Sequence, residues 1–323
     1  MRQIGKWMLG AAAVVAAGLT SLSPASAQSW PTQRVTIVVP FGAGSVTDIL
    51  ARIFADEMGR RWNQQVIVEN RPGLAGTAAV AKAAPDGYTL MVTSNGHTVA
   101  GLVTKERPFD PVKDFAGITR LGSVPLFLIT HPDVPAKTLK EIIDLAKKDP
   151  GKLNFSSPGL ASTTFIAGAQ FRRVAGIDIV HVPYKSAPDA VTAVLRGDAQ
   201  LYFAPVNLAR DQSQAGKVRA LAAATEKRIP ELPDTPTFTE AGLKFVYDSW
   251  FGLMTQAAVP QAIRDKISKD WADALKTPEL QNKLKSQFII GVTDTPAAMD
   301  KIVRDETAVL TETFKAAGIT PSN

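Results

Sequence analysis

Short runs of β-branched and aliphatic residues alternate along this chain with amphipathic stretches of helical period. Arg34 to Pro40 (RVTIVVP), Gln65 to Glu69, Thr89 to Ser94, Leu153 to Ser157, Asp178 to Pro183, Ala199 to Phe203 and Val218 to Ala224 are bounded by Gly, Pro, Asn or Asp and predict strands. After the first of them, Leu50, Phe54, Met58 and Trp62 recur at every fourth position with Ile49 and Ile53 beside them, so this helix buries one stripe. Thr138 and Glu141 have capping-box spacing at the head of a helix that runs to Lys148 and is stopped by Pro150-Gly151. Pro85-Asp86-Gly87 predicts a turn before the third strand. Three helices, Gln261 to Lys276, Glu279 to Ser286 and Pro296 to Ala317, close the chain. This alternation predicts an α/β protein with parallel strands joined by crossover helices.

Size and charge narrow the class. A chain of 323 residues exceeds the roughly 250 at which one core usually stops growing, so two domains are expected. Arg2 and Lys6 precede an apolar run from Trp7 to Leu19, and Ala25-Ser26-Ala27 follows, which predicts a secretory leader cleaved after Ala27 and an exported protein. No later segment reaches the length of uninterrupted apolar sequence, about 18 residues, that a membrane span needs. Lys and Arg number 36 against 30 Asp and Glu, a net charge of +6, but the basic residues do not gather into runs and nucleic acid is not an expected partner. The absence of cysteine removes disulfides, thiol nucleophiles and zinc-thiolate sites, and 3 histidines leave little for imidazole chemistry. Neither a metal-ligand spacing nor a nucleophile elbow is present, so no catalysis, metal or cofactor is expected.

What the sequence offers instead is anion binding. PFGAGSVTD, residues 40 to 48, sits between the first strand and its helix; Ser45 and Asp48 have S-x-x-D capping spacing, and the first-turn amides with the helix dipole make an anion site. The third glycine of a dinucleotide fingerprint is replaced by Thr47, and the lysine of a P-loop is missing. A second site of the same kind follows KLNFSS, where Ser156, Ser157, Ser162, Thr163 and Thr164 cluster hydroxyls ahead of a helix running through Phe171. Two such termini suggest two lobes facing each other across a cleft. His181 and Tyr184 lie three apart on one strand and point to opposite faces, with only Tyr184 at the carboxyl end.

The segments WPTQRVTIVVPFGAG, ENRPG, PDGYTL, FDPVKDF, VPAKTLKEI, PGKLNFSS, VHVPYK, GKVRALA, LPDTPTFTEAG and SWFGL together resemble the periplasmic solute receptors of tripartite tricarboxylate transporters, the Bug proteins. The resemblance implies a two-lobed type II periplasmic-binding-protein fold with the ligand cleft between lobes. After the leader, 1–27, it divides the chain into one lobe of 28–124 with 252–323 and another of 125–251, hinged near Val124 and Phe251. It implies a monomer, a small carboxylate ligand, and the small and large membrane subunits of the transporter as partners. A sensory receptor working through a membrane kinase and an enzyme on a similar fold are the rival classes.

Carried onto this sequence, the family pattern assigns ligand contacts to Phe41, Gly42, Ala43, Gly44, Thr47 and Asp48, then to Ser94, Asn95 and His97. In the second lobe it assigns Ser157, Gly159, Ser162, Thr163, Phe165, Tyr184 and Asn207, with Trp250 near the hinge. Asp48 would repel an anion directly, so its expected work is to orient amides or water. The family's Thr-His pair appears here in the order His97-Thr98, Ser45 stands where relatives commonly have Gly, and the helix after ENRPG is short. Phe165 stands where many relatives have His; facing the cleft, it would favour an aromatic dicarboxylate such as terephthalate over citrate-like or C4 to C6 aliphatic acids.

Overall fold

The strands expected from the hydrophobic pattern all form, and others join them from segments in which the pattern is weaker. A computed structural model describes residues 30–104 and 108–316. The leader and Ala317 lie outside the described residues. The first strand, β1 (Val35–Val39), is buried on both faces, as a central parallel strand must be. It pairs in parallel with β2 (Val66–Asn70) on one side and β3 (Thr89–Ser94) on the other. The crossovers are α1 (Val46–Trp62) and α2 (Leu74–Ala81). The stripe on α1 reaches the core as expected, with Leu50, Phe54 and Met58 fully buried. Ser45 caps that helix and Asn63, in the left-handed region at φ 49°, ends it.

The sheet is mixed rather than wholly parallel. After α3 (Gly96–Val103), strand β4 (Phe115–Ser123) pairs antiparallel with β10 (Trp250–Gln256), and β10 pairs antiparallel with β3. Glycines hide β4 from a propensity reading, and they are there for close approach. A Cβ on Gly117 would stand 2.7 Å from Met299 Cγ, and one on Gly122 would stand 2.6 Å from Ile289 Cγ2. The short β11 (Ile290–Gly291) completes an order of β11-β4-β10-β3-β1-β2.

A second sheet contains β5 (Leu126–Thr130), β6 (Asn154–Ser157), β7 (Val180–Pro183), β8 (Leu201–Pro205) and β9 (Arg219–Ala223), in the order β7-β6-β8-β5-β9. Strand β6 is parallel to both neighbours, while β5 runs antiparallel to β8 and β9. Its helices are α4 (Leu139–Lys148), α5 (Thr163–Ala175), α6 (Ala187–Leu195) and α7 (Val206–Gln214). The chain returns to the first sheet and adds α8 (Gln261–Leu275), α9 (Pro278–Ser286) and α10 (Pro296–Ala316). The outward and returning segments run side by side, Val124 N–H donating to the Ser249 carbonyl at 3.2 Å.

Each sheet has its own apolar core. Behind the second sheet, Phe171, Phe203, Phe238 and Phe245 pack edge to face and stacked, with the Phe238 and Phe245 ring centroids 4.9 Å apart. Phe171 is fully buried at the centre of this cluster. Phe171→Ala should therefore lower unfolding stability by about 3–5 kcal/mol, read from the denaturation midpoint at unchanged slope. Asn207→Ala, on an exposed position of α7, should stay within about 0.5 kcal/mol in the same measurement.

Candidate functional site

Strand order locates the site. From β1 the chain crosses to β2 on one side and then to β3 on the other, so the loops leaving the carboxyl ends of β1 and β3 diverge and open a crevice. In the second sheet, β6 is flanked by β7 and β8 in the same way, and the loop from Pro158 to Ser162 leaves its carboxyl end. The loops meet across the cleft: a Cβ on Gly96 would lie 2.3 Å from the Ala161 carbonyl oxygen, with the Phe41 ring close behind. Between them lies a cavity of about 250 Å³ whose walls include Phe41, Thr77, Thr93, Gly96, His97 and Ala161. Among the described residues its lining contains no Lys or Arg.

The helix termini that can serve an anion differ from those expected. Ser45 Oγ accepts from Asp48 N–H at 3.2 Å and Ser162 Oγ accepts from Phe165 N–H at 3.1 Å, so α1 and α5 are capped by their own serines. The termini of α2 and α3 are not. Neither Gly73 nor Asn95, their cap residues, makes a side-chain cap bond, and Gly73, Leu74, Gly96 and His97 all line the cavity. First-turn amides have no carbonyl of their own helix to bond. Two helices thus begin without a side-chain cap at the wall of one partly open cavity, where the dipoles of helix N-termini favour negative charge.

Asp48 acts on the loop. Its Oδ2 accepts from Gly44 N–H at 2.9 Å and Arg52 Nε at 3.1 Å, and its Oδ1 accepts from Asn70 Nδ2 at 3.0 Å. Asn70 Nδ2 also reaches the Phe41 carbonyl at 3.2 Å. Burial pushes the carboxyl up, but Arg52, the Gly44 amide and Asn70 together hold it below the usual carboxylate value. Asp48 therefore fixes the glycine turn, where Gly44 sits at φ +80°, and its oxygens are spent there. Gly42, Ala43 and Gly44 are exposed at the rim, while Thr47 is buried in the first turn of α1. Arg52 and Asn70 went unread, although the i+4 spacing of Arg52 and the motif ENRPG point to them.

His97 is 3% exposed, edge-on to Phe115 and parallel to Phe109. Burial lowers its pKa to about 4, against the opposing bond to the Pro111 carbonyl, so the ring is neutral at neutral pH. Its Nε2 faces that carbonyl at 2.9 Å, and a carbonyl only accepts, which assigns the proton to Nε2 and leaves Nδ1 a bare acceptor without a protein partner. Ser94 is buried at the end of β3, and the Asn95 side chain turns away from the cavity towards α10.

Several expected contacts are corrected by their surroundings. Phe165 is 1% exposed and its ring is enclosed by Phe155, His181 and Phe314, with centroids 4.5 to 6.0 Å away, so it is a core residue. Trp250 is equally buried and its indole N–H donates to Glu306 Oε2 at 2.9 Å. The Ser157 hydroxyl lies 2.7 Å from His181 Nε2 and accepts from Gly159 N–H at 3.1 Å, which shapes the loop and leaves no free donor. Gly159, at φ +120°, makes the turn, and Ser162 Oγ donates back to its carbonyl at 2.7 Å. Thr163 is half-buried on the first turn of α5. Tyr184 borders a separate open groove with Lys185, Asp189 and Arg196, and Asn207 is exposed outside the cavity. The lining residues Gly73, Thr77, Thr93, Gly96 and Ala161 were missed; Gly73 and Gly96 carried a signal, the glycines of ENRPG and SNGHT.

Asp48→Ala leaves the Gly44 and Asn70 donors without their acceptor and should cost about 1–3 kcal/mol of stability at neutral pH. A carboxyl held below its ordinary value of 3.8 stabilises fully above that value, and the contribution is lost as pH falls through the lower, folded one. The gap in unfolding free energy between the two proteins should therefore be constant above about pH 5 and close towards about pH 2.

Comparisons with known proteins establish the family and the fold. The family described as "Tripartite tricarboxylate transporter family receptor" matches residues 50–318. A structure of Rpa4515 from R. palustris with adipate superposes with a TM-score of 0.77 at 30% identity, covering 91% of this chain and 100% of that one. MatC from Rhodopseudomonas palustris with bound malate gives 0.73 at 29% identity, covering 88% and 99%. Protein BugT of Bordetella pertussis is 29% identical over 91% of this chain and 91% of its own length. The chain is a member of the tripartite tricarboxylate transporter receptor family, whose two-lobed α/β fold it shares.

Proposed function

We propose that this protein captures a small aliphatic dicarboxylate in the cleft between its two sheets and hands it to the membrane subunits of a tripartite transporter. The observation that carries the reading is the pair of uncapped helix N-termini, on α2 and α3, lining one cavity whose described walls hold no cation. Amide donors and dipoles suit a carboxylate, and a cavity of about 250 Å³ suits a chain of a few carbons. The bare Nδ1 of His97 accepts only from a donor, so the ligand meets it through a hydroxyl or a bridging water. Adipate and malate in the structures of two relatives are acids of this size. An aromatic acid such as terephthalate ranks second, because Phe165 is enclosed in the core and of the two rings expected to favour it only Phe41 lines the cavity. Export through the leader and action as a monomer with lobes hinged at the paired crossing segments complete the reading.

One acid of a panel of C4 to C6 dicarboxylates should bind one per chain, without turnover, with a dissociation constant near micromolar, about −8 kcal/mol. At a hundredfold excess over that constant, mass action adds about 2.7 kcal/mol, seen as a thermal shift. No shift with any mono- or dicarboxylate, or consumption of the bound acid, would reject the proposal. Gly96→Ala should weaken binding at least about tenfold, because the new Cβ cannot pass the Ala161 carbonyl when the loops meet. Titration calorimetry reads this directly, and unchanged affinity would remove the closed cleft.

A further inference from the structure

We propose that Glu306 on α10 is a positioning residue that keeps the α3 N-terminus open for the ligand and couples its affinity to pH. This rests on the reading of the α2 and α3 termini as the ligand cradle. Asparagine is among the best N-cap residues, yet Asn95, at the N-cap of α3, does not cap. Its own backbone is helical, at φ −45° and ψ −28°, and its Nδ2 is drawn away to Glu306 Oε1 at 2.5 Å and to the Asp248 carbonyl at 3.2 Å. Glu306 Oε2 takes the Trp250 indole N–H at 2.9 Å and lies 3.2 Å from Thr98 Oγ1. One carboxyl thus ties together the cap residue of α3, its first turn and the strand on which the chain returns from the second sheet. Among the described residues no Lys or Arg forms an ion pair with it. The amides left uncapped by this arrangement are those of the cavity wall at Gly96 and His97.

An acid held only by neutral donors is sensitive to its proton. Burial raises the Glu306 carboxyl from its ordinary value to about 7, opposed by the bonds from Asn95, Trp250 and Thr98 and assisted by the nearby Asp248 charge. The groups facing it from each neighbouring element have fixed roles. Tyr247 is pushed well up by burial and stays neutral; burial also raises the Asp248 carboxyl, opposed by its pair with Arg120 of β4, which also holds Asp294. His97 of α3 is neutral, Arg264 of α8 is paired to Asp300, and α5 meets α10 through Phe165 against Phe314. Between mildly acidic and mildly alkaline pH, Glu306 is therefore the group in this neighbourhood that changes charge. Ionised, it sits one layer behind the amides at the cavity wall and opposes an anion there; protonated on Oε2, it can donate to Thr98 Oγ1 while Oε1 still accepts from Asn95, and the charge is gone.

The test compares wild type with Glu306→Gln, which copies the neutral form, and Glu306→Ala, which releases Asn95. In NMR, the Trp250 indole N–H should titrate with a midpoint near pH 7 in the wild type and stay still in Glu306→Gln. The His97 amide should exchange more slowly in Glu306→Ala, because the freed Asn95 caps it. With adipate and malate as probes, wild-type affinity should rise at least about threefold from about pH 8 to about pH 6.5. Glu306→Gln should be flat and as tight as the wild type at the lower pH, and Glu306→Ala weak throughout. An indole that does not titrate, an unchanged pH dependence in Glu306→Gln, or full affinity in Glu306→Ala overturns the proposal. Failure of both probes to bind any of the proteins counts against the ligand class, while the indole and amide signals still decide for or against Glu306.

Discussion

A buried N–H without a partner costs about 1–3 kcal/mol, and α3 begins in buried chain at the wall of the cavity without a side-chain cap, while α2 begins uncapped at the exposed Gly73 on the same wall. Proteins seldom tolerate this, and a serine resolves it at α1 and again at α5. At α2 the cap residue is Gly73, which has no side chain to offer. At α3 it is Asn95, whose side chain is engaged elsewhere. The remaining architecture keeps both termini free of a side-chain cap: β1 and β3 diverge around the crevice, the glycine turn is fixed by Asp48, and α10 holds Asn95 back.

The same arrangement explains why a receptor for an anion can do without a buried cation. A lysine or arginine buried at such a wall would have to be desolvated, whereas amide dipoles on rigid helices need no such compensation. The charged residues near the cleft are therefore kept to its margins. Arg52 pairs with Asp48 behind the loop, and Arg120 bridges Asp248 and Asp294 beside the crossing segments. Both guanidiniums brace backbone that shapes the site.

Hydroxyl-rich loops have two readings, and this chain shows how they separate. Ser157 and Ser162 were candidates for the ligand and Ser45 the expected cap of α1, and each is engaged with backbone or His181. Short polar side chains near a helix terminus are more strongly drawn to the local amide than to a distant guest, because the local bond carries no loss of translational freedom. The cavity wall instead carries glycines, and a histidine whose Nδ1 has no partner among the described residues.

The sequence by itself determined the parts that depend on neighbours along the chain. Strand positions such as Thr89–Ser94, the buried stripe of α1 and the caps at Ser45 and Thr138 follow from period and from i to i+3 bonds, which act within a turn or two. The order of motifs was sufficient for the family and its two-lobed fold. Only the tertiary structure decided which termini stay open, since the answer for Asn95 lies on Glu306, 211 positions away, and on the Asp248 carbonyl. It also decided that Phe165 faces inward, because the rings enclosing it come from a strand, its neighbour and the C-terminal helix. A position near a cleft in sequence can point either way in space. What turns it is long-range packing, to which local spacing is blind.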